Sequence, residues 1–327
     1  MTQYFITFQT GTSDIVKRIL TESQITVEEI SDGIAVISTN KNPKELEVFG
    51  FINHIYLLIS KTAFKSSIEK TVSSVRIKGF EIKPSFFKGK NFKIRVSYIG
   101  QTVSFNRKAL AELEGHIARN YKLKLDTEGK CNEFWFYMRE NRNVYFGLKL
   151  TDTKSKDVDR KKGQLKSSIG SIMVSMAKLN PASVVLDPFC GSGGISDEIL
   201  KAPFKKLIIN DINDEAVRLL KKKYAGNQKV IIHKGDFASI PISKGTADSI
   251  ITDPPWGEFE QGIDFREMAH VFQMWLKPKG KLIVLISNNL HEELIYILEM
   301  LGFEVLNVFG TLVGGNKSKI IEAAKVK

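Results

Sequence analysis

The chain has 327 residues, with 48 Lys and Arg against 36 Asp and Glu, for a formal charge of +12. That length predicts about two domains, and a makeup that is 43% apolar and 26% charged excludes wholesale disorder. No apolar run reaches the ~20 residues of a membrane helix, the 2 cysteines cannot build a disulfide framework or a Cys-based zinc site, and the 5 histidines are too scattered to converge on a metal by spacing.

In chain order, Gln3–Phe8 and Ile34–Ser38 read as strands, with helices over Asp14–Glu22 and Pro43–Gly50. The N-terminal MTQYFITFQTG lacks the basic-then-apolar pattern of a secretory signal, so a reducing, cytoplasmic setting is expected. The longest apolar run, Phe49 to Ile59, is broken by Asn53 and His54. Phe92–Tyr98 alternates like a half-buried strand. Asn106 caps a predicted helix running to about Tyr121, with Leu110, Leu113, Ile117 and Tyr121 on one face. Glu133–Arg139 and Val144–Leu150 pair as a predicted hairpin through a turn at Glu140–Asn143. The polar TDTKSKDVDRKKG that follows reads as an exposed linker.

The second half alternates strictly. Strands are predicted at Ser183–Asp187, Lys206–Asp211, Val230–Gly235, Asp248–Thr252, Lys281–Ser287, Phe303–Phe309 and Lys319–Ala324. Helices are predicted at Ser192–Lys201, Asp214–Tyr224, Phe265–Leu276 and Leu290–Leu301. Short continuous apolar runs such as LII, VII and LIVLI belong to a parallel sheet covered by helices on both faces. The fold class is therefore α/β, and ligands of such sheets bind at the C-terminal ends of the strands.

Charge is unevenly placed. Residues 61–109 hold 12 basic and 2 acidic side chains, so this stretch alone carries +10. Phe64, Phe80, Phe86, Phe87, Phe92, Tyr98 and Phe105 are mixed among its cations, including Lys83, Lys88, Lys90, Lys93 and Arg95. Clustered cations beside aromatics suit a nucleic acid, particularly RNA with unpaired ends; a solvated face over an aromatic core is the plainer alternative.

Each chemical motif falls at a predicted strand end. Asp187-Pro188-Phe189-Cys190-Gly191-Ser192-Gly193-Gly194 supplies glycines where a ligand meets the backbone. Asp211 can accept hydrogen bonds from ribose hydroxyls, and Asp236 with Phe237 could hold an adenine by its amino group and its face. These three leave a nucleotide such as NAD open. The fourth, Thr252-Asp253-Pro254-Pro255-Trp256-Gly257, narrows it: the prolines leave carbonyls without ladder partners, and Asp253 and Trp256 add an acceptor and a stacking surface. That set suits a planar substrate gripped by its amino group, which dinucleotide oxidoreductases do not need.

From about Gly163 onward the chain resembles a class I S-adenosylmethionine-dependent methyltransferase of the amino-methylating type, whose signature is (Asp/Asn)-Pro-Pro-aromatic. The first half resembles an α+β pair, a ferredoxin-like domain at 1–60 and a THUMP RNA-binding domain at 61–150, joined by a linker at 151–162 to a Rossmann-like methyltransferase domain at 163–327. Together they resemble the THUMP-containing tRNA guanine-N2 methyltransferases. The resemblance implies S-adenosylmethionine as cofactor, held by Gln164, Leu165, Asp187, Phe189, Gly191, Gly193, Asp211, Asp236, Phe237 and Asp253. It implies catalysis by Asp253, Pro254, Pro255 and Trp256, and RNA gripped by Lys83, Lys88, Lys90, Lys93 and Arg95; a monomer is expected, and composition already predicts no metal or membrane. The family's target includes guanosine 6 of the tRNA acceptor stem. Many members carry a proline where this chain has Ser167 and tyrosine where it has Trp256.

Neither cysteine is near the fourth motif, which argues against pyrimidine C5 methylation through a thiolate. Three alternatives stay open: guanine-N2 or adenine-N6 methylation of ribosomal or other structured RNA, a protein-glutamine methyltransferase, which would not need the basic first half, and a non-catalytic RNA-binding scaffold.

Overall fold

The computed structural model describes residues 1–326 apart from 76–80, 105, 127–130, 140–141, 152–164 and 256–262. The chain divides into two compact units: Met1–Phe8, Leu20–Val48 and Ile52–Thr153 form one, and Gln9–Ile19, Phe49–Phe51 and Lys154–Lys327 the other.

In chain order the first half gives β1 (Thr2–Thr7), α1 (Ser13–Glu22), β2 (Thr26–Ser31), β3 (Ile34–Thr39), α2 (Pro43–Glu47), β4 (His54–Ala63), α3 (Ile68–Ser74), β5 (Asn91–Tyr98), β6 (Gln101–Thr102), α4 (Ala111–Tyr121), β7 (Lys124–Leu125), β8 (Asn132–Met138) and β9 (Asn143–Lys149). Among the described residues these strands make one sheet in the order β2-β3-β1-β4-β9-β8-β5-β6, with β7 added beside β5. The part of the broken apolar run from His54 onward begins β4, a central strand between β1 and β9. The expected boundary between residues 60 and 61 lies inside β4, and strands on both sides of it share the sheet.

Local chemistry explains the pieces. β5 and β8 alternate buried and half-buried side chains, the period of a strand with one covered face. Asn42 starts α2 with a capping box through Glu45, and Pro43 takes the position where no N–H is needed. Asn106 does accept from the Lys108 N–H, at 3.0 Å, but begins a 3-10 turn over Arg107–Leu110 that α4 continues. On one sheet face Phe5 stacks on Tyr56 at 4.4 Å, within a cluster that includes Ile34, Val36 and Tyr145.

The second half gives α5 (Ser167–Ala177), β10 (Val184–Asp187), α6 (Gly194–Ile199), β11 (Lys206–Asp211), α7 (Asp214–Lys223), β12 (Val230–Lys234), β13 (Ala247–Thr252), α8 (Phe265–Trp275), β14 (Leu276–Ser287), α9 (His291–Met300), β15 (Phe303–Val313) and β16 (Asn316–Lys325). The sheet order is β12-β11-β10-β13-β14-β16-β15. The first five strands are parallel, while β16 runs antiparallel to both β14 and β15. Strand order reverses beside β10, so the crevice between β10 and β13 is the topological switch point. Gly314 and Gly315, at φ +59 and +91, make the two-residue turn between β15 and β16, since this hairpin turn needs positive φ at both positions.

Met268, Phe272, Trp275, Leu294 and Leu298 of α8 and α9 pack with sheet residues in the core on one side. Glu322 of β16 is fully buried, and accepts from Arg18 of α1 at 2.6 Å, Lys281 at 2.9 Å and Asn307 at 2.9 Å. Burial alone would raise its pKa, but hydrogen bonds and charge from Arg18 and Lys281 bring it below the ordinary carboxylate value.

Candidate active site

Asp187 ends β10 with no solvent exposure. Its Oδ1 accepts from the Thr252 hydroxyl at 3.0 Å and its Oδ2 from the Ser196 hydroxyl at 3.2 Å, tying the end of β13 and the start of α6 to β10. Burial pushes its pKa up to about 7, against the lowering effect of those hydroxyls, and the charges of Asp253 and Asp211 add to the rise. Three carboxyl groups thus converge where β11, β10 and β13 end.

The loop after β10 is held from several sides. The Asn210 side-chain amide donates to the Pro188 carbonyl at 3.2 Å and to the Gly235 carbonyl at 3.0 Å, joining the first and third strand-end loops. The Cys190 N–H donates to the Asn210 carbonyl at 3.0 Å. Gly193 has φ +86, and a Cβ there would stand 2.6 Å from the Tyr224 hydroxyl oxygen and 2.8 Å from Leu220 Cδ2, so both strain and space demand glycine. A Cβ on Gly191 would instead meet nothing within 4 Å.

Asp211 does structural work before any ligand arrives. Its Oδ2 accepts from the Gly191 N–H at 2.7 Å and its Oδ1 from the Asn213 N–H at 2.8 Å. Each oxygen retains a second lone pair for a hydroxyl donor. Ile212 beside it is 71% exposed, an apolar side chain left in water next to a carboxylate. Sequence reasoning passed over Ile212; the available signal was an apolar residue one step beyond the end of a buried strand.

The third expected pair divides. Asp236 is exposed and its Oδ1 accepts from the Ala238 N–H at 2.8 Å, capping a short 3-10 turn. Phe237 is buried, 5.1 Å from the half-buried Phe189 ring and 6.5 Å from Phe272. Leu165 lies over the start of α6, its carbonyl oxygen and Cβ 3.5 and 3.6 Å from where a Cβ on Gly194 would stand. Gln164 lies outside the described residues.

At the end of β13, Thr252 and Pro254 are buried, Asp253 is half-buried and Pro255 is exposed, while Trp256 falls outside the described residues. Cys190 is 6% exposed, and burial with the nearby Asp187 and Asp211 charges pushes its thiol pKa up, so it stays a packed thiol rather than a nucleophile. Among the described residues, no group of three or more His, Cys, Asp or Glu is placed to hold a metal ion, and no helix is long and apolar enough to cross a membrane.

The cationic candidates of the first unit also divide. Lys83, Lys88 and Lys90 are exposed. Lys93 and Arg95 point to Glu133 instead, at 3.2 and 3.4 Å, and the Arg95 guanidinium lies 5.8 Å from the Trp135 ring centroid. Burial raises the Glu133 pKa, but hydrogen bonds from Trp135 and Lys93 outweigh it and leave the group below its ordinary value. Part of the positive charge counted in the sequence is therefore neutralised within the sheet.

The model of the methyltransferase small domain matches residues 168–310. The bovine U6 snRNA (guanine-N(2))-methyltransferase THUMPD2 is 30% identical over 135 residues, 40% of this chain and 27% of that protein, so the match spans about a quarter of the curated relative. A Methanothermococcus thermolithotrophicus protein named "Probable tRNA (guanine(10)-N2)-dimethyltransferase" is 35% identical over 96 residues, 26% of this chain and 57% of that one. The crystal structure of TrmN from Thermus thermophilus superposes with a TM-score of 0.69 over 99% of this chain and 100% of that chain, at 16% identity, a likeness of fold. Residues 168–310 thus match a methyltransferase small domain, and the seven-stranded unit that contains them has the class I methyltransferase fold.

Proposed function

We propose that the chain transfers a methyl group from S-adenosylmethionine to the exocyclic N2 amine of a guanosine in RNA, with tRNA as the first substrate to test. The observation that carries this reading is the Asp253-Pro254-Pro255 segment at the switch point, beside the loop held by Asp187, Asn210 and Asp211. The residues fit the cofactor. Gly191 presents backbone with open space around it, Asp211 has lone pairs left for a ribose, and the exposed Ile212 offers an apolar face for its base. Leu165, Phe189, Gly193, Asp236 and Phe237 shape the same strand ends, with Gln164 and Trp256 completing the set on sequence grounds.

S-adenosylmethionine supplies, when bound, an electrophilic methyl group on a sulfonium. The guanine amine is a poor nucleophile because its lone pair is delocalised into the ring. In this reading the Asp253 carboxylate and the Pro254 carbonyl accept its two N–H bonds and fix the nitrogen in line, so that positioning is the main catalytic effect. Asp253 also favours loss of the proton once the new N–C bond has formed. Trp256 stacks on the extruded base, which contributes roughly 1–3 kcal/mol.

The first unit, with the charge of residues 61–150 read as a THUMP module, would hold the RNA through the exposed Lys83, Lys88 and Lys90. Support for RNA as substrate comes from the names of the relatives, one acting on U6 snRNA and one on tRNA. Transfer of labelled methyl from the cofactor to total RNA, followed by nucleoside mass spectrometry, tests the reading. N2-methylguanosine in the tRNA fraction is expected; methylated adenosine, or label in protein alone, would refute it.

A further inference from the structure

The methyltransferase unit has cations that methyl transfer does not use. Residues 201–229 hold eight basic and three acidic side chains, whereas the whole of 161–327 holds 22 and 18, so outside that stretch the second half is net acidic. α7 buries Val217 and Leu220 and leaves Arg218, Lys221 and Lys222 exposed. Lys205 and Lys206 lead into β11 and Lys229 leads into β12, all three exposed.

These positions share one rim of the unit. Leu207 pairs with Val230, and the Leu207 N–H donates to the Lys229 carbonyl at 2.8 Å. The Lys229 ammonium lies 5.5 Å from the Phe204 ring centroid. The connection from α7 back to β12 is tight, with the Asn227 N–H on the Tyr224 carbonyl at 3.0 Å and the Val230 N–H on the Asn227 carbonyl at 3.1 Å. The last turn of α7 and the N-terminal ends of β11 and β12 therefore form a continuous edge.

Three nearby acids are engaged by other lysines, Glu198 by Lys201, Asp197 by Lys223 and Asp214 by Lys234, while Glu215, three residues before Arg218 on α7, makes no ion pair among the described residues. Among the described residues, none of Lys205, Lys206, Arg218, Lys221, Lys222 and Lys229 has an acidic partner within ion-pair distance. The α7 dipole favours cations in its last turn, which covers Lys221 and Lys222 but not Lys205, Lys206 or Lys229. Lys205, Lys206, Lys221, Lys222 and Lys229 on this edge, with Arg218 one turn back along α7, repel one another, and a polyanion relieves that repulsion.

We propose that this rim is an RNA-backbone contact surface of the methyltransferase unit itself, separate from the cationic stretch of the first unit. The proposal rests on the reading of RNA as substrate. It lies at the end of β11 opposite Asp211, about 17 Å away at ~3.3 Å per residue. It would hold phosphates flanking the target base at that remove and leave the crevice untouched.

The test uses the full chain with unfractionated tRNA as probe and two variants, Arg218→Glu/Lys222→Glu and Lys205→Glu/Lys206→Glu. Each should weaken tRNA binding about tenfold at moderate salt and flatten the log–log salt dependence by roughly 0.9 for each duplex phosphate the protein no longer neutralises. KM for tRNA should rise while kcat at saturating tRNA and cofactor affinity by calorimetry stay at wild-type values. If wild type binds tRNA and both variants match it in affinity and salt slope, as they would if the rim met an acidic protein, the rim proposal alone is overturned. If wild type neither binds nor methylates RNA, the parent reading falls and takes this one with it.

Discussion

Asp187→Asn isolates the charge at the centre of the site. The wild-type carboxyl is pushed from 3.8 to about 7 by burial, so the folded state holds a proton that the unfolded chain releases near pH 4. Its stabilising contribution is fully present below pH ~4 and is lost as pH rises through about 7. Integrating that difference between pH 5 and pH 8 gives a loss of roughly 2–3 kcal/mol from this one group. An asparagine amide can accept from one of the two hydroxyls and donate to the other, so the fold is kept while the titration is removed. Urea unfolding of both proteins, followed through the buried Trp275, measures the gap. The variant should gain on wild type by roughly 2–3 kcal/mol between pH 5 and 8. A gap that stays constant within about 0.5 kcal/mol would show that Asp187 is ionised throughout, and the burial argument would fail.

Asp253→Ala should lower methyl transfer by about 10²–10⁴-fold even at saturating cofactor, measured by turnover with cofactor occupancy fixed by calorimetry. Gly193→Ala must place a Cβ against Tyr224 at a positive φ, and should cost about 1–3 kcal/mol in urea unfolding. Glu322→Ala leaves Arg18 and Lys281 around an uncompensated buried site and should lower stability by about 3–5 kcal/mol, read from the denaturation midpoint. Reversing Lys83, Lys88 and Lys90 together should flatten the salt dependence of RNA binding by roughly 0.9 for each duplex phosphate left without its cation, whereas Lys93→Glu should disturb folding through Glu133 and lower the melting temperature.

The strand ends were legible because chemistry and pattern coincide there. Asp187, Asp211 and Asp253 each stand where a continuous apolar run stops, and a doubly wound sheet brings such stops together. α5 was not legible for the opposite reason: Ile169 through Val174 are all buried, so no polar face marks a helical period. Gly170 adds a second disguise, since glycine weakens a helix, yet here it lets α6 approach, with the Gly194 carbonyl 3.4 Å from where its Cβ would be. The charge of residues 61–109 could be counted, but its partner for Lys93 and Arg95 is Glu133, brought in by the parallel pairing of β5 with β8. A sum along the chain cannot see a counterion from another strand. Such a sum also spreads the small excess of the second half over many residues, when that excess is concentrated on the edge beside β11 and β12.

The same registry decides what kind of binding site the strand ends make. A glycine-rich loop is entropically costly to order when a ligand must do it, because glycine has the most conformational freedom to lose. Here the loop is already held at Pro188 by Asn210, at Cys190 by the Asn210 carbonyl, at Gly191 by Asp211 and at its base by Asp187. Binding therefore need not supply that ordering, and more of the contact energy remains for affinity. It follows that Asp211 cannot be assigned to ligand binding from loss of affinity alone. Removing its carboxylate frees the Gly191 and Asn213 N–H groups as well, so a weakened variant would report the loop and the ribose contact together. Asp236 differs, because among the described residues its carboxylate accepts only from the Ala238 N–H of a short exposed turn. A loss of cofactor affinity in Asp236→Ala would point more directly to contact with the ligand.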